Sequence, residues 1–212
     1  MDVIAKFPLT HLELLEMGHG ELVRFPATFN EYWELLGEAE YRVDFYNNEI
    51  IAMSHEPDLH SEIVTQMSHL LKTIFPGSLR KQFKVHNSNR PVCIPACDYA
   101  VFNPDGSVVL QPPVYYEYQP GMNAETNPLI LFEVLSKNTR DYDWNTKLPC
   151  FKKIPTLRQI IFIDSQRLFV TVYERNAEVN KWENSDYDQP DAFFYVQGQP
   201  IKLDDLYQGI FS

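Results

Sequence analysis

Between residues 60 and 75 the apolar positions recur every three or four residues, with Ile63, Met67, Leu70, Leu71 and Ile74 on one face. That period predicts a helix, and Pro76-Gly77 ends it. A shorter helix is expected from Thr28-Phe29-Asn30-Glu31, where Thr and Glu stand at capping-box spacing, through Leu36. Elsewhere the pattern is that of strands. Residues 41–43 and 50–53 flank Asn47-Asn48 and read as a hairpin. Residues 82–86 and 91–102 are strand candidates, and Asn103-Pro104-Asp105-Gly106 reads as a turn. Residues 111–128, rich in Pro, Tyr, Gln and Asn, read as a surface loop. Residues 129–135 are apolar except for Glu133, the pattern of a strand covered on both faces. A short helix is expected over 147–153, with Pro149 tolerable in its first turn. Strands follow at 160–164 and 168–173, joined by Ser165-Gln166-Arg167, and at 192–196, before a short amphipathic piece at 203–210. The order of helix, strands, buried strand, helix and strands predicts an α/β (α+β) domain around a mixed sheet. Residues 1–27 are weakly patterned and are expected to be an N-terminal extension to a single domain over 28–212.

Composition narrows the function classes. A chain of 212 residues, 44% hydrophobic and 22% charged, can build a packed core. Its net charge of −11 excludes a general electropositive coat for nucleic acid and leaves room only for a local basic cleft. Three cysteines, Cys93, Cys97 and Cys150, are an odd number without the framework of a disulfide-rich secreted scaffold. No second Cys or His pair stands at zinc-finger spacing from Cys93 and Cys97. The first ten residues lack the pattern of a signal peptide, and no run approaches the ~20 apolar residues of a membrane span. A cytoplasmic protein of a reducing compartment, with no membrane partner, is expected.

Three residues attract attention as chemistry. Glu133 is a carboxylate inside an apolar run, expensive there unless paired or metal-bound. A strand-end glutamate facing solvent or an arginine is the ordinary alternative. Asp98 lies in a second mostly apolar stretch, and two carboxylates on neighbouring strands are what a hard divalent cation needs. Its ordinary alternative is a turn or bulge residue. Lys147 opens the predicted short helix and could bring a point charge to a phosphate or to an attacking water; Lys137 competes for the role, and a solvated lysine is the commoner finding for either.

Several segments resemble one family in order and spacing. They are Tyr41-Arg42-Val43 with Asn48-Glu49-Ile50-Ile51-Ala52-Met53-Ser54, then His60-Ser61-Glu62-Ile63-Val64, then Asp98-Tyr99-Ala100-Val101-Phe102. Glu133-Val134-Leu135-Ser136 with Thr139-Arg140-Asp141-Tyr142-Asp143 follows, and then Lys147-Leu148-Pro149, Ile154-Pro155-Thr156-Leu157 and Ile161-Phe162-Ile163-Asp164. Over roughly residues 28–208 the chain resembles the Uma-two family of restriction-endonuclease-like proteins, a branch of the PD-(D/E)XK nuclease superfamily. The resemblance implies a central mixed β-sheet flanked by helices. It makes Asp98 the aspartate of the PD half-motif and Glu133 the acidic residue of (D/E)XK. Leu135 stands where that motif has its lysine, and Lys147 takes the lysine's place from the following helix. The metal shell would comprise Asp98, Glu133, the Val134 carbonyl and Glu62, with His60, Lys137 and Arg140 toward substrate. Pro95 is separated from Asp98 by Ala96-Cys97, a departure that touches the register at the site.

The implied reaction is hydrolysis of nucleic-acid phosphodiesters, DNA foremost, with Mg²⁺ or Mn²⁺, by a chain that could work as a homodimer. The acidic net charge then predicts weak, salt-sensitive binding, with Arg80, Lys81, Lys84, Arg90, Lys152, Lys153 and Arg158 as further local contributors. Three other readings remain: a non-catalytic binding or assembly module on the same fold, a phosphoesterase acting on small phosphate esters, and a structural one in which Tyr115, Tyr116 and Tyr118 are a dimer surface, with a packed loop as their ordinary alternative.

Overall fold

The computed structural model describes residues 6–18, 22–53, 58–79, 81–88, 90–176 and 178–211. Ser54 and Arg80 lie outside the described residues. At the start, the capping box closes as its spacing predicts: the Glu31 N–H donates to Thr28 Oγ1 and the Thr28 N–H to Glu31 Oε2. Helix α2 (Phe29–Leu36) then buries Tyr32, Trp33 and Leu35. The hairpin follows as β2 (Arg42–Tyr46) and β3 (Glu49–Met53). Its two linking residues, Asn47 and Asn48, take φ of 52° and 58°. Asparagine tolerates that left-handed region, which a two-residue turn of matching twist requires.

Residues 6–18 and 22–27 do not stand apart from the domain. Helix α1 (His11–Gly18) precedes β1 (Val23–Pro26), which pairs antiparallel with the outer side of β3. Phe7 and Leu14 are buried with Tyr32, Trp33 and Tyr41.

The long helix, α3 (Asp58–Ile74), is followed by β4 (Phe83–Asn87) and β5 (Val92–Ile94). The strand expected over 91–102 breaks at Pro95, where a 3₁₀ turn (Pro95–Cys97) ends with Asp98 and Tyr99 both left-handed. The chain then resumes as β6 (Ala100–Phe102) and β7 (Gly106–Leu110). The stretch read as a loop holds an antiparallel pair, β8 (Tyr115–Gln119) and β9 (Met122–Glu125), which turns at Gly121 with φ of 86°. Next come β10 (Pro128–Leu135), a helical segment over 140–151, and β11 (Gln159–Asp164). Strands β12 (Val170–Asn176), β13 (Lys181–Tyr187), β14 (Phe193–Val196) and β15 (Gln199–Lys202) precede a last turn of helix, α6 (Leu203–Leu206). No helix among the described residues is long and apolar enough to cross a membrane.

The fold is the expected mixed α+β one, and its strands form two large mixed sheets. One runs β1-β3-β2-β6-β5-β9-β8 and the other β13-β12-β11-β10-β7-β4. Strand β10 sits inside the second, parallel to β11 and antiparallel to β7. Its side chains alternate between two cores. Ile130, Phe132 and Val134 pack with Ile63, Met67 and Leu71 of α3. Leu131 and Leu135 pack on the other side with Ile51, Ile94 and Phe102 from the first sheet and with Leu148 and Phe151. Period two therefore sends Glu133 to that second side, between the sheet and the helical segment.

Two local features fix this region. Gly106 lies opposite Phe132, and a Cβ there would stand 2.1 Å from the Phe132 ring and 2.9 Å from the His86 carbonyl oxygen. Gly106→Ala is expected to lower stability by about 1–3 kcal/mol through overpacking, seen as a lower urea midpoint with an unchanged slope. A disulfide joins Cys97 to Cys150 across a sequence separation of 53, while Cys93 is buried as a free thiol whose pKa burial pushes up to about 12. The odd cysteine count thus conceals one bridge.

Candidate active site

The ladder between β7 and β10 stops where Gly106 faces Phe132. Beyond it β10 continues while the other chain leaves for β6, so the backbone there needs new partners. The Val134 N–H donates to Asp105 Oδ2 at 2.7 Å, and the Asp105 N–H donates to Glu133 Oε2 at 3.2 Å. Backbone N–H groups thus hold both carboxylates, that of Val134 the Asp105 carboxylate and that of Asp105 the Glu133 carboxylate.

Asp44 on β2 fixes the approach to this clasp. Its Oδ1 accepts the Asn103 N–H at 2.7 Å, and the Asn103 side-chain amide also donates to the Val43 carbonyl at 2.7 Å. Pro104, with no N–H and a fixed φ, completes the stiff link to Asp105.

The third contribution comes from the helical segment. It runs as α4 (Arg140–Tyr142), a π-helical turn (Asp143–Lys147) and α5 (Leu148–Phe151). In the wide turn the Leu148 N–H reaches the Asp143 carbonyl, a spacing of five that frequently marks functional sites. Asp143 and Lys147 point from it toward Glu133. Lys147 Nζ lies 3.0 Å from Glu133 Oε1, 3.0 Å from Asp143 Oδ1 and 3.6 Å from Asp44 Oδ2. Tyr142 donates its hydroxyl to Asp44 Oδ2 at 3.0 Å. On the other flank Arg42 Nη1 meets Asp105 Oδ1 at 2.9 Å and Nη2 the Asn103 carbonyl, while His60 Nε2 lies 3.0 Å from Asp105 Oδ2.

Asp44, Asp105, Glu133, Asp143 and Lys147 are each at most 3% exposed. Four buried carboxylates therefore face two permanent cations, Arg42 and Lys147. Fully ionised, they would outnumber the cations, and proton affinities shift to relieve this. Burial, with Asp105 and Asp143 nearby, lifts the Glu133 carboxyl well above the carboxylate range against the pull of Lys147. Burial also raises Asp143. At Asp105 burial acts the same way, yet Arg42 and then His60 hold the carboxyl far below its usual value. Burial alone would discharge Lys147, but Asp143, Glu133 and Asp44 raise its pKa well above that of a free lysine and keep it charged.

Of the residues expected from sequence, the structure brings together Glu133, Val134, Lys147 and His60. Val134 reaches the cluster through its N–H, not through the expected carbonyl. Asp98 is not brought in. It caps the 3₁₀ turn in a left-handed conformation and is exposed, because β5 has already ended at Ile94. Asp105 stands against Glu133 instead. Glu62 is exposed on α3, about 200° around the helix from buried His60. Lys137 is exposed on the loop after β10. Arg140 is engaged away from the cluster, 2.8 Å from Asp164 Oδ2. Sequence reasoning missed Asp105, Asp44, Asp143, Tyr142 and Arg42. The dipeptide Pro104-Asp105 itself was a usable signal for the first of them.

A cavity of about 600 Å³, walled by Trp33, Tyr41, Val43 and Met122, reaches the cluster at Arg42 and Asn103.

Three similarities bear on this arrangement. Residues 29–206 match the model of the Uma2 family, described as "Putative restriction endonuclease". An uncharacterised Synechocystis protein, sll1609, is 26% identical over 148 residues, 70% of this chain and 80% of that protein. A crystal structure from Anabaena variabilis, described as a "putative nuclease belonging to DUF820", superposes with a TM-score of 0.64 at 18% identity, over 96% of this chain and 100% of that one. At that identity the last similarity speaks for the fold.

Proposed function

This chain belongs to the Uma2 family of restriction-endonuclease-like proteins, and on that premise we propose that it is a metal-dependent endonuclease hydrolysing nucleic-acid phosphodiester bonds, DNA foremost. The observation that supports this most is the buried clasp of Asp105 and Glu133 with Lys147 held against it. In this reading Asp105, following Pro104, is the aspartate of the PD half-motif in place of Asp98. The setting is cytoplasmic, with a homodimer cutting the two strands of a duplex.

The donor set suits Mg²⁺ or Mn²⁺. Among the described residues no three ligand-type side chains converge on one point, since Lys147 and Arg42 stand between the carboxylates. A cation that keeps several waters needs only one or two carboxylates, and Asp105 with Glu133 would hold it. A cation there would displace the proton that burial favours on Glu133 and relieve the repulsion among the four carboxylates. When bound, the cation supplies a water of lowered pKa and charge to offset the scissile phosphate.

The chain's own groups do the rest. Lys147 holds its ammonium where Glu133 and Asp143 fix it, ready to orient the attacking water or meet charge developing on the phosphate. Arg42 and His60 keep Asp105 ionised and in place. Asp44, through Asn103 and Tyr142, sets the distance between the Asp105 segment and the helical segment.

The test is nicking of supercoiled plasmid at low salt, the condition that the net charge of −11 calls for. Cleavage in Mg²⁺ or Mn²⁺ is expected, abolished by chelation and by Glu133→Gln. Wild-type protein inert toward plasmid, single-stranded DNA and RNA with either metal would overturn the nuclease assignment.

A further inference from the structure

We propose that Cys97 and Cys150 are a redox-active pair that exchanges with an external dithiol and so governs how firmly the segment bearing Asp143 and Lys147 is held. Cys150 lies in α5, three residues beyond Lys147 on one continuous helical segment. Cys97 lies in the 3₁₀ turn between β5 and β6, in the first sheet. Their bond ties the helical segment covalently to the sheet that carries Asp44 and leads into Asp105. Apolar packing joins the same elements, since Cys97, Cys150, Leu148 and Phe151 share one core. The bridge therefore adds constraint at a place already assembled, and its loss leaves a folded chain with a looser segment.

The surroundings of the two sulfurs differ. Both cysteines are buried in one core, but Cys97 is flanked by exposed Pro95, Ala96, Asp98 and Tyr99, whereas Cys150 lies beside buried Phe151. The turn is thus the side of approach. Lys153 Nζ lies 3.6 Å from Cys97 Sγ, where it favours a thiolate on that sulfur. Cys93, buried with its thiol pushed up in pKa, is poorly suited to compete.

The exchange balances as follows. A thiolate of the external dithiol attacks the Cys97 sulfur, the Cys97–Cys150 bond breaks, and Cys150 leaves as a thiolate that takes up a proton. The donor's second thiolate attacks the mixed disulfide, and Cys97 leaves beside Lys153 and is protonated in turn. Two electrons and two protons pass to the chain, and the donor becomes a disulfide. An external disulfide reverses every step.

The test uses the full chain equilibrated with oxidised or reduced dithiothreitol. Titration of the unfolded protein should find one free thiol, Cys93, in the oxidised form and three in the reduced form. On reduction, amide exchange over 143–151 should quicken about tenfold, while the β11–β12 core is unchanged. The thermal midpoint should fall by roughly 5–10 °C. Cys97→Ser should behave as the reduced form under both conditions, and Cys93→Ser as wild type. If Cys97→Ser does not fold, reduced wild type supplies the same comparison. None of these readouts depends on the nuclease reading; only a further expectation, slower plasmid cleavage by the reduced form, rests on it. Three free thiols after oxidation would overturn the proposal, and so would exchange over 143–151 that is indifferent to the bridge.

Discussion

Lys147→Met is expected to destabilise the chain by about 3–5 kcal/mol at neutral pH. The methylene stem and volume are kept, so the loss is that of the ammonium alone. It leaves Glu133 and Asp143 buried, each 3.0 Å from where Nζ stood, with Asp44 close behind. The Glu133 carboxyl already binds its proton more tightly than usual, and without Lys147 it must do so more tightly still. A carboxyl whose folded pKa is raised contributes stability below its unfolded pKa and loses it as pH rises through the folded value. The deficit of the variant should therefore grow as pH rises from the ordinary carboxylate range, about pH 4 to 5, toward neutrality, measured by urea unfolding. A deficit that stays constant across that range would mean Lys147 acts through packing alone. Adding Asp143→Asn to Lys147→Met should restore part of the loss, because one uncompensated carboxylate is then removed. Cleavage by the single variant, assayed where it is still folded, should fall about 10²–10³-fold.

Asp105→Asn and Asp98→Asn are expected to part company completely. Asparagine at 105 can still accept the Val134 N–H through its carbonyl oxygen, so the clasp keeps its shape but loses a negative charge. Cleavage should fall about 10²–10³-fold, and Mn²⁺ binding followed by calorimetry should weaken with it. Asparagine at 98 keeps the left-handed conformation at little cost and alters an exposed side chain. Stability there should stay within about 0.5 kcal/mol, with cleavage and metal binding as in wild type. The reverse outcome would return the metal to Asp98 and leave Asp105 as a scaffold for Arg42 and His60.

These two aspartates show what is legible in one dimension. Glu133 stands out because a carboxylate amid apolar neighbours on a buried strand needs a reason. Lys147 stands out only by resemblance, since nothing local distinguishes it from a solvated lysine. Asp105 is hidden by its own neighbours: Asn-Pro-Asp-Gly is turn chemistry, and the turn is also the joint between two sheets. Asp44 is masked in the same manner, the one acidic position in the strand Arg-Val-Asp-Phe-Tyr, whose partner Tyr142 lies 98 residues away. Helices α2 and α3 and the first hairpin follow from capping, period and turn residues, which are local. The pair β8–β9 does not, because Tyr115–Gln119 alternates only weakly and prolines precede it. Cys97 and Cys150 likewise meet only because the helical segment folds back on the turn after β5. Short-range physics is written in short-range sequence; the partners that neutralise a buried charge are chosen by topology.

The cluster draws on residues 42, 44, 60, 105, 133, 143 and 147, and so on both sheets, α3 and the helical segment over 140–151. Neither half of the chain contains the centre. During synthesis the carboxylates of Asp44 and Asp105 leave the ribosome well before Glu133 and Lys147, and β10 must find its place between β7 and β11 before the four can meet. Such long-range closure comes late in folding. A chain of this design has no such cluster to offer in any truncated or half-made form; the buried charges meet only when the last long-range pairing is complete.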